Sequence, residues 1–286
     1  MRLLVTGAGG MTGAEVNAQS VQRGWECRAL TRAELDISDS EAVREAIASY
    51  RPDVVINAAA YTAVDDAEQH EALATRVNAD GAGNVARAAN ESGAAVIHIS
   101  TDYVFDGKSS RPHLPTDPVG PLGAYGRSKL AGEIAVRTEA ERHVIVRTSW
   151  VYSEKGRNFV LTMLRIGART REIKVVNDQH GCPTSASDLA LALLAAADSM
   201  NRDRGMSGTY HFSNSGVTTW YGFAKEIFHV RGGVAPVIIP IASESYPTPA
   251  KRPSWSVLDC SSFARDFGVS PRPWQEALRD VLGRTQ

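Results

Sequence analysis

A tyrosine and a lysine, Tyr125 and Lys129, stand four residues apart in AYGRSKLAGE, a stretch whose composition predicts a helix. Residues at that spacing share a helix face, so the phenol and the ammonium point the same way. A phenol can give its proton to an oxygen that gains negative charge, and an adjacent ammonium stabilises the phenolate left behind. An isolated phenol titrates near pH ~10, so the lysine is expected to draw that value down towards working pH. The same ten residues would also serve as an ordinary solvated helix face. Other elements must bring chemistry to the same place before the pair means more.

The first of these lies near the start of the chain. VTGAGGMTGAEV follows a strand-like run and opens a helix, with Gly7, Gly10 and Gly13 at three-residue spacing. Glycines let a backbone turn sharply and approach a pyrophosphate, whose charge the N-terminus of the next helix stabilises. Met11 and Thr12 belong to the same turn. At the end of the second expected strand, ALTRAELD places Thr31 and Arg32 where an NAD-binding domain usually carries an acid. A hydroxyl and a guanidinium would accept a 2′-phosphate that a carboxylate would repel, so NADPH is favoured over NADH. If Arg32 is merely solvated, NADH is accepted too. Asp36 and Ile37 would flank the adenine. NAAAYTAVDDAE would then run Ala58 and Ala60 past the cofactor, with Tyr61 and Thr62 near its nicotinamide half. Asp65 and Glu68 have the spacing of a helix cap rather than of a catalytic acid pair.

Composition is compatible with such a site. The 286 residues are 43% hydrophobic and 22% charged, with 31 Lys plus Arg against 32 Asp plus Glu. A net charge of -1 gives no basic field for nucleic acid. No apolar run reaches the roughly 18 to 20 residues needed to span a bilayer, and no secretory pattern opens the sequence. The cysteines, Cys27, Cys182 and Cys260, are far apart and form no C-x-x-C. They fit reduced thiols in a cytoplasmic protein without a structural metal.

Apolar, β-branched runs alternate with amphipathic ones through the first two-thirds of the chain. This pattern predicts an α/β fold, a doubly wound parallel sheet of Rossmann type. Residues 1–150, completed by 172–200, would form the dinucleotide-binding domain. Residues 151–171 and 205–286 would form a smaller mixed α/β substrate domain closing a cleft. In a doubly wound sheet the carboxyl ends of strands face the ligand crevice. HISTDYVFDG would therefore bring Thr101 and Asp102 beside the cofactor, where the Tyr-Lys helix also arrives.

At this point the sequence resembles the extended short-chain dehydrogenase/reductases. NAAAYTAVDDAE, STDYVFDG, AYGRSKLAGE, RTSWVY, NDQHGCPT and YPTPAKRP are similar to the dTDP-4-dehydrorhamnose reductase family, from Arg2 to about Trp274. The resemblance implies NADPH-dependent reduction of the C4 ketone of a dTDP-linked 6-deoxyhexulose. Tyr125 would be the acid, Lys129 its partner and Thr101 the group aligning the substrate oxygen; Tyr125 and Lys129 would also touch the cofactor, Lys129 by a hydrogen bond to the nicotinamide ribose. It further implies Thr101, Asp102 and Trp150 against the sugar, with Asn158 and Arg252 as weaker candidates, Arg252 for the diphosphate. Some family members are described as magnesium-linked dimers. Glu15 matches one glutamate of that cluster, but SASDLAL lacks another, so no metal is expected and the chain would be a monomer or homodimer. Trp255 stands where a smaller polar residue is usual.

Four other readings compete, epimerases among them, against whose tightly held NAD the missing 2′-hydroxyl acid argues. Dehydratases need two carboxylates after the strand-end Thr, and here Asp102 is followed by Tyr103. Reductases of other dTDP-4-keto-6-deoxysugars are not separated by any residue. A non-catalytic NADP-binding subunit resembling that of methionine adenosyltransferase would be expected to lose the Tyr-Lys pair, which is intact.

Overall fold

The computed structural model describes residues 1–285. Its centre is a sheet containing β1 (Arg2–Thr6), β2 (Glu26–Leu30), β3 (Val54–Asn57), β4 (Ala95–Thr101) and β5 (His143–Thr148). Among the described residues a sixth strand, Gly208–His211, completes it. The spatial order is Gly208–His211, β5, β4, β3, β1, β2, and all neighbours are parallel. The order reverses beside β1, the arrangement that opens a crevice at the carboxyl edge.

Side chains alternate between two buried faces, which is why these strands read as continuous apolar runs. Leu3, Val54 and Ile97 face one core, with α1 (Met11–Gln22) and the helix Ala186–Arg202 over them. Leu4, Val55, Val96 and Ile145 face the other. That side is covered by α2 (Ser40–Tyr50), α4 (Gly81–Glu91) and α5 (Ala124–Glu139). A short helix, α3 (Glu71–Thr75), runs into α4 through a single π turn, Arg76–Asp80, so the long segment is helical but broken.

The C-terminal layer has its own core. Tyr152, Phe223, Trp274 and Leu278 pack together under the helices Phe159–Gly167, Trp220–Arg231 and Trp274–Gly283. The boundary with the sheet differs from the expected one in two places. Gly208–His211, expected in the smaller unit, pairs with β5 in the main sheet. Glu172–Val176, expected to complete the main sheet, pairs with Val237–Ile241 outside it. The reason is pairing: β5 is buried on both faces and needs a second neighbour for its backbone groups, which Gly208–His211 supplies.

Candidate active site

A cleft of about 690 Å³ opens along the carboxyl edge of the sheet. The glycine loop and the residues after β3 form one end of it. The end of β4 and the first turns of α5 form the other, with Trp150 and Arg157 reaching over from the C-terminal layer.

The loop is glycine-rich because neighbouring backbone leaves no room for a side chain. Gly7 has φ +71°, and a Cβ there would lie 2.5 Å from the Ala59 amide nitrogen. A Cβ on Gly13 would meet the Gly7 carbonyl. Gly10 is the N-cap of α1 and supplies no capping side chain, so the first helical amides face the cleft unpaired by a cap. A cradle of this shape and polarity fits a pyrophosphate.

Beyond it, Arg32, Asp36, Ile37, Ala58, Ala60, Tyr61 and Thr62 all line the cleft. Arg32 is exposed and lies 4.0 Å from the Asp36 carboxylate. Asp36 is held in an Asx turn by the amide and hydroxyl of Ser38. Thr31 is set differently from expectation. Its hydroxyl donates to Glu34 at 2.8 Å, as does its amide, so Arg32 is the group of that pair left facing the cleft. Arg157, which no sequence motif flagged, brings a second exposed cation; Gly156 before it lies against Met11 of the glycine turn.

Tyr125, Lys129, Thr101 and Asp102 line the other end of the cleft. The Thr101 hydroxyl donates to Asp102 Oδ1 at 3.0 Å and accepts from the Tyr103 amide at 3.2 Å, capping the short turn Asp102–Val104. Asp102 Oδ2 is buried without a partner. Burial pushes this carboxyl up to about 7, against hydrogen bonds from Ser256 and Thr101 that lower it. The expected acidification of Tyr125 is not present in this geometry. Burial pushes its phenol up to about 12; a hydrogen bond with Thr101 opposes the rise and the Asp102 carboxylate adds to it. Lys129 does not lower it, because its ammonium is engaged elsewhere. Nζ donates to the Ile99 carbonyl at 2.7 Å and lies 3.3 Å from His98 Nε2. Burial brings Lys129 down to about 8, with Glu133 acting in the opposite sense.

The helix that carries the pair is fixed from three directions. Glu68 does not cap its own turn; its Oε1 accepts the Ala124 amide of α5 at 2.8 Å. Asp65 does not cap either, since it receives the Arg252 guanidinium and the Ala250 amide. Asn78, inside the π turn, takes the Tyr61 amide on Oδ1 and donates to Ser128 Oγ at 2.9 Å, tying the loop after β3 to α5. Deeper, the buried Glu133 carboxylate receives both Arg147 Nε and Nη2 at 2.8 Å, Arg137 at 2.8 Å and Ser100 at 2.7 Å. Glu68→Ala should therefore cost about 1 kcal/mol, the usual worth of a helix cap, and also lower kcat by loosening the turn that holds Tyr125. Thermal melts and steady-state rates on the same preparation check this; an unchanged rate would show that the cap does not position the phenol.

The remaining candidates separate. Trp150 lines the cleft, adopts φ +49° and stacks on Trp220 with ring centroids 3.6 Å apart. Gly181 packs flat against its indole, leaving no space for a Cβ. Asn158 is a helix cap instead. Its Oδ1 accepts the Leu161 amide and its Nδ2 donates to the Ser153 and Lys155 carbonyls, so both of its N–H donors are spent internally. Arg252 forms a two-pronged ion pair with Asp65 at 3.0 and 2.8 Å and also bonds Thr248, so its charge is already matched. Trp255 donates its indole N–H to the Arg111 carbonyl, away from the cleft lining.

Comparison with known proteins places this geometry. The family model described as RmlD substrate binding domain matches residues 1–286. A dTDP-4-dehydrorhamnose reductase from Sinorhizobium fredii is 42% identical, over 99% of this chain and 97% of its own. A crystal structure of a dTDP-4-dehydrorhamnose reductase from Clostridium acetobutylicum superposes with a TM-score of 0.94 at 41% identity, covering 99% of both chains. One from Bacillus anthracis, in complex with NADP, gives a TM-score of 0.93 at 36% identity, again over 99% of both.

Proposed function

The chain belongs to the RmlD substrate binding domain family, and on that premise we propose that it is an NADPH-dependent dTDP-4-dehydrorhamnose reductase, forming dTDP-L-rhamnose. The observation that carries this reading is the convergence of Tyr125, Thr101 and Lys129 at one end of a cleft whose other end is a glycine cradle.

The residues present fit a phosphorylated dinucleotide. The cradle offers backbone amides where Gly7 and Gly13 exclude side chains, and Arg32 is placed for a 2′-phosphate. When bound, the dinucleotide supplies the hydride. The chain's own part is to manage the proton. A ketone oxygen gaining negative charge needs a donor, and Tyr125 has a phenol that burial keeps protonated at working pH. Thr101 would support the same oxygen from the strand side by turning its hydroxyl away from Asp102 Oδ1, while the orphan Asp102 Oδ2 offers an acceptor to a sugar hydroxyl. Trp150 provides a flat apolar wall backed by Trp220.

The test is to incubate the purified protein with NADPH and dTDP-4-dehydrorhamnose and read the new C4 stereocentre by NMR. NADPH that stays unoxidised would overturn the reading, and reduction of only a different dTDP-4-keto-6-deoxysugar would move the substrate. For the cofactor, Arg32→Ala should raise the KM for NADPH by about 10- to 100-fold, the worth of a charge-assisted contact, with little change for NADH. Equal effects on both would remove Arg32 from the 2′-phosphate site.

A further inference from the structure

Thr6, Asn57 and His98 are register partners on β1, β3 and β4, so their side chains form a row on one face of the sheet, beneath α5. All three are fully buried. Thr6 Oγ1 donates to Asn57 Oδ1 at 2.7 Å, Asn57 Nδ2 lies 3.2 Å from His98 Nδ1, and His98 Nε2 lies 3.3 Å from Lys129 Nζ. The row thus runs from beside Gly7 to the lysine of the reacting pair.

Its polarity is fixed at one end. The Ala59 backbone amide, which can only donate, reaches Asn57 Oδ1 at 3.2 Å. The asparagine oxygen must face that amide, and its NH₂ must face His98 Nδ1. Nδ1 is then an acceptor, and the neutral ring carries its proton on Nε2, towards Lys129. The imidazole is neutral, because burial and then the Lys129 and Arg137 charges hold its pKa well below the ordinary value. An N–H aimed at Nζ opposes the ammonium and favours the amine, whose lone pair can accept it.

We propose that His98 is a positioning residue that sets the protonation balance of Lys129 by presenting Nε2–H to its side-chain nitrogen. When Nζ is the neutral amine it carries a lone pair, and His98 Nε2–H binds that lone pair while the Ile99 carbonyl keeps its N–H bond. Other groups act on Lys129 as well. Glu133, one turn along α5, favours the ammonium, but it is itself shared by Arg147 of β5 and Arg137. Tyr125 and Asp102 face the same end of the cleft. His98 is the group that opposes the ammonium from the sheet side.

The catalytic consequence rests on the reductase reading above, so the first test needs no turnover. Nitrogen-15 NMR of the imidazoles in the intact protein should assign the Nε2–H tautomer to His98; the Nδ1–H tautomer would overturn the proposal whatever the activity. The second test is the pH profile of kcat. His98→Leu should move the basic limb up by about one unit, the usual size of a lost neighbouring interaction. His98→Gln, whose amide can replace the donor, should restore it. A limb that stays in place while kcat merely drops would leave His98 with a packing role only.

Discussion

Tyr125→Phe should lose about 10²- to 10⁴-fold in kcat, the range attributed to one general acid, while keeping its affinity for NADPH. The substitution removes one oxygen and little else. The ring's edge-to-face contact with Tyr103, at 5.6 Å and 76°, does not use the hydroxyl. The change leaves the glycine cradle and Arg32 untouched. Fluorescence titration with NADPH and single-turnover rates on one sample separate the two effects. Residual turnover above about a tenth of the wild-type rate would mean that the proton comes from another group. The wild-type profile carries a related expectation. With the phenol pushed up to about 12, loss of the acid does not limit the rate at mildly alkaline pH. Lys129, brought down to about 8 by burial, is the group expected to give the basic limb.

Arg147→Met is expected to destabilise the fold by about 3 to 5 kcal/mol, the cost of leaving one member of a buried ion pair without its partner. Glu133 is buried and keeps only Arg137 and Ser100 after the change. In the native protein burial raises the Glu133 carboxyl, but the Arg147 hydrogen bonds and charge, with Ser100 and Arg137, together outweigh it, so the net shift is downwards. A carboxylate held below its ordinary value contributes stability above that value and loses it as pH falls through the native one. The difference between wild type and variant should therefore narrow as denaturation is measured from neutral pH down into acid. Adding Glu133→Leu to Arg147→Met should recover part of the loss, because the stranded charge is gone. A single variant as stable as wild type at neutral pH would show that the network contributes nothing to the fold.

These two effects mark different depths of legibility. The Tyr-Lys spacing, the glycine loop and the strand-end Thr101-Asp102 could be read directly, because helix and strand periodicity fix which side chains share a face. Glu133 lies in the same helical stretch, and nothing in its spacing singles it out. Only the register of β4 and β5, which sets Ser100 beside Arg147, makes it a buried anion under four donors. Asp65 and Glu68 show the limit from the other side: their spacing satisfies the capping pattern, yet each bonds a residue far along the chain.

Local order along the chain determined the doubly wound sheet, the position of the crevice and the residue types that meet there, since each follows from contacts within a few residues or from the handedness of βαβ crossovers. The tertiary structure decided which polar side chains are spent internally. It gave Asn158 to a helix cap, Arg252 to Asp65 and Lys129 to Ile99 and His98, and it aligned Thr6, Asn57 and His98 across three strands. Hydrogen bonds and ion pairs reach only about 3 to 4 Å, and apart from the local cap at Asn158 the partners here are separated by tens of residues in sequence, so no local pattern carries them.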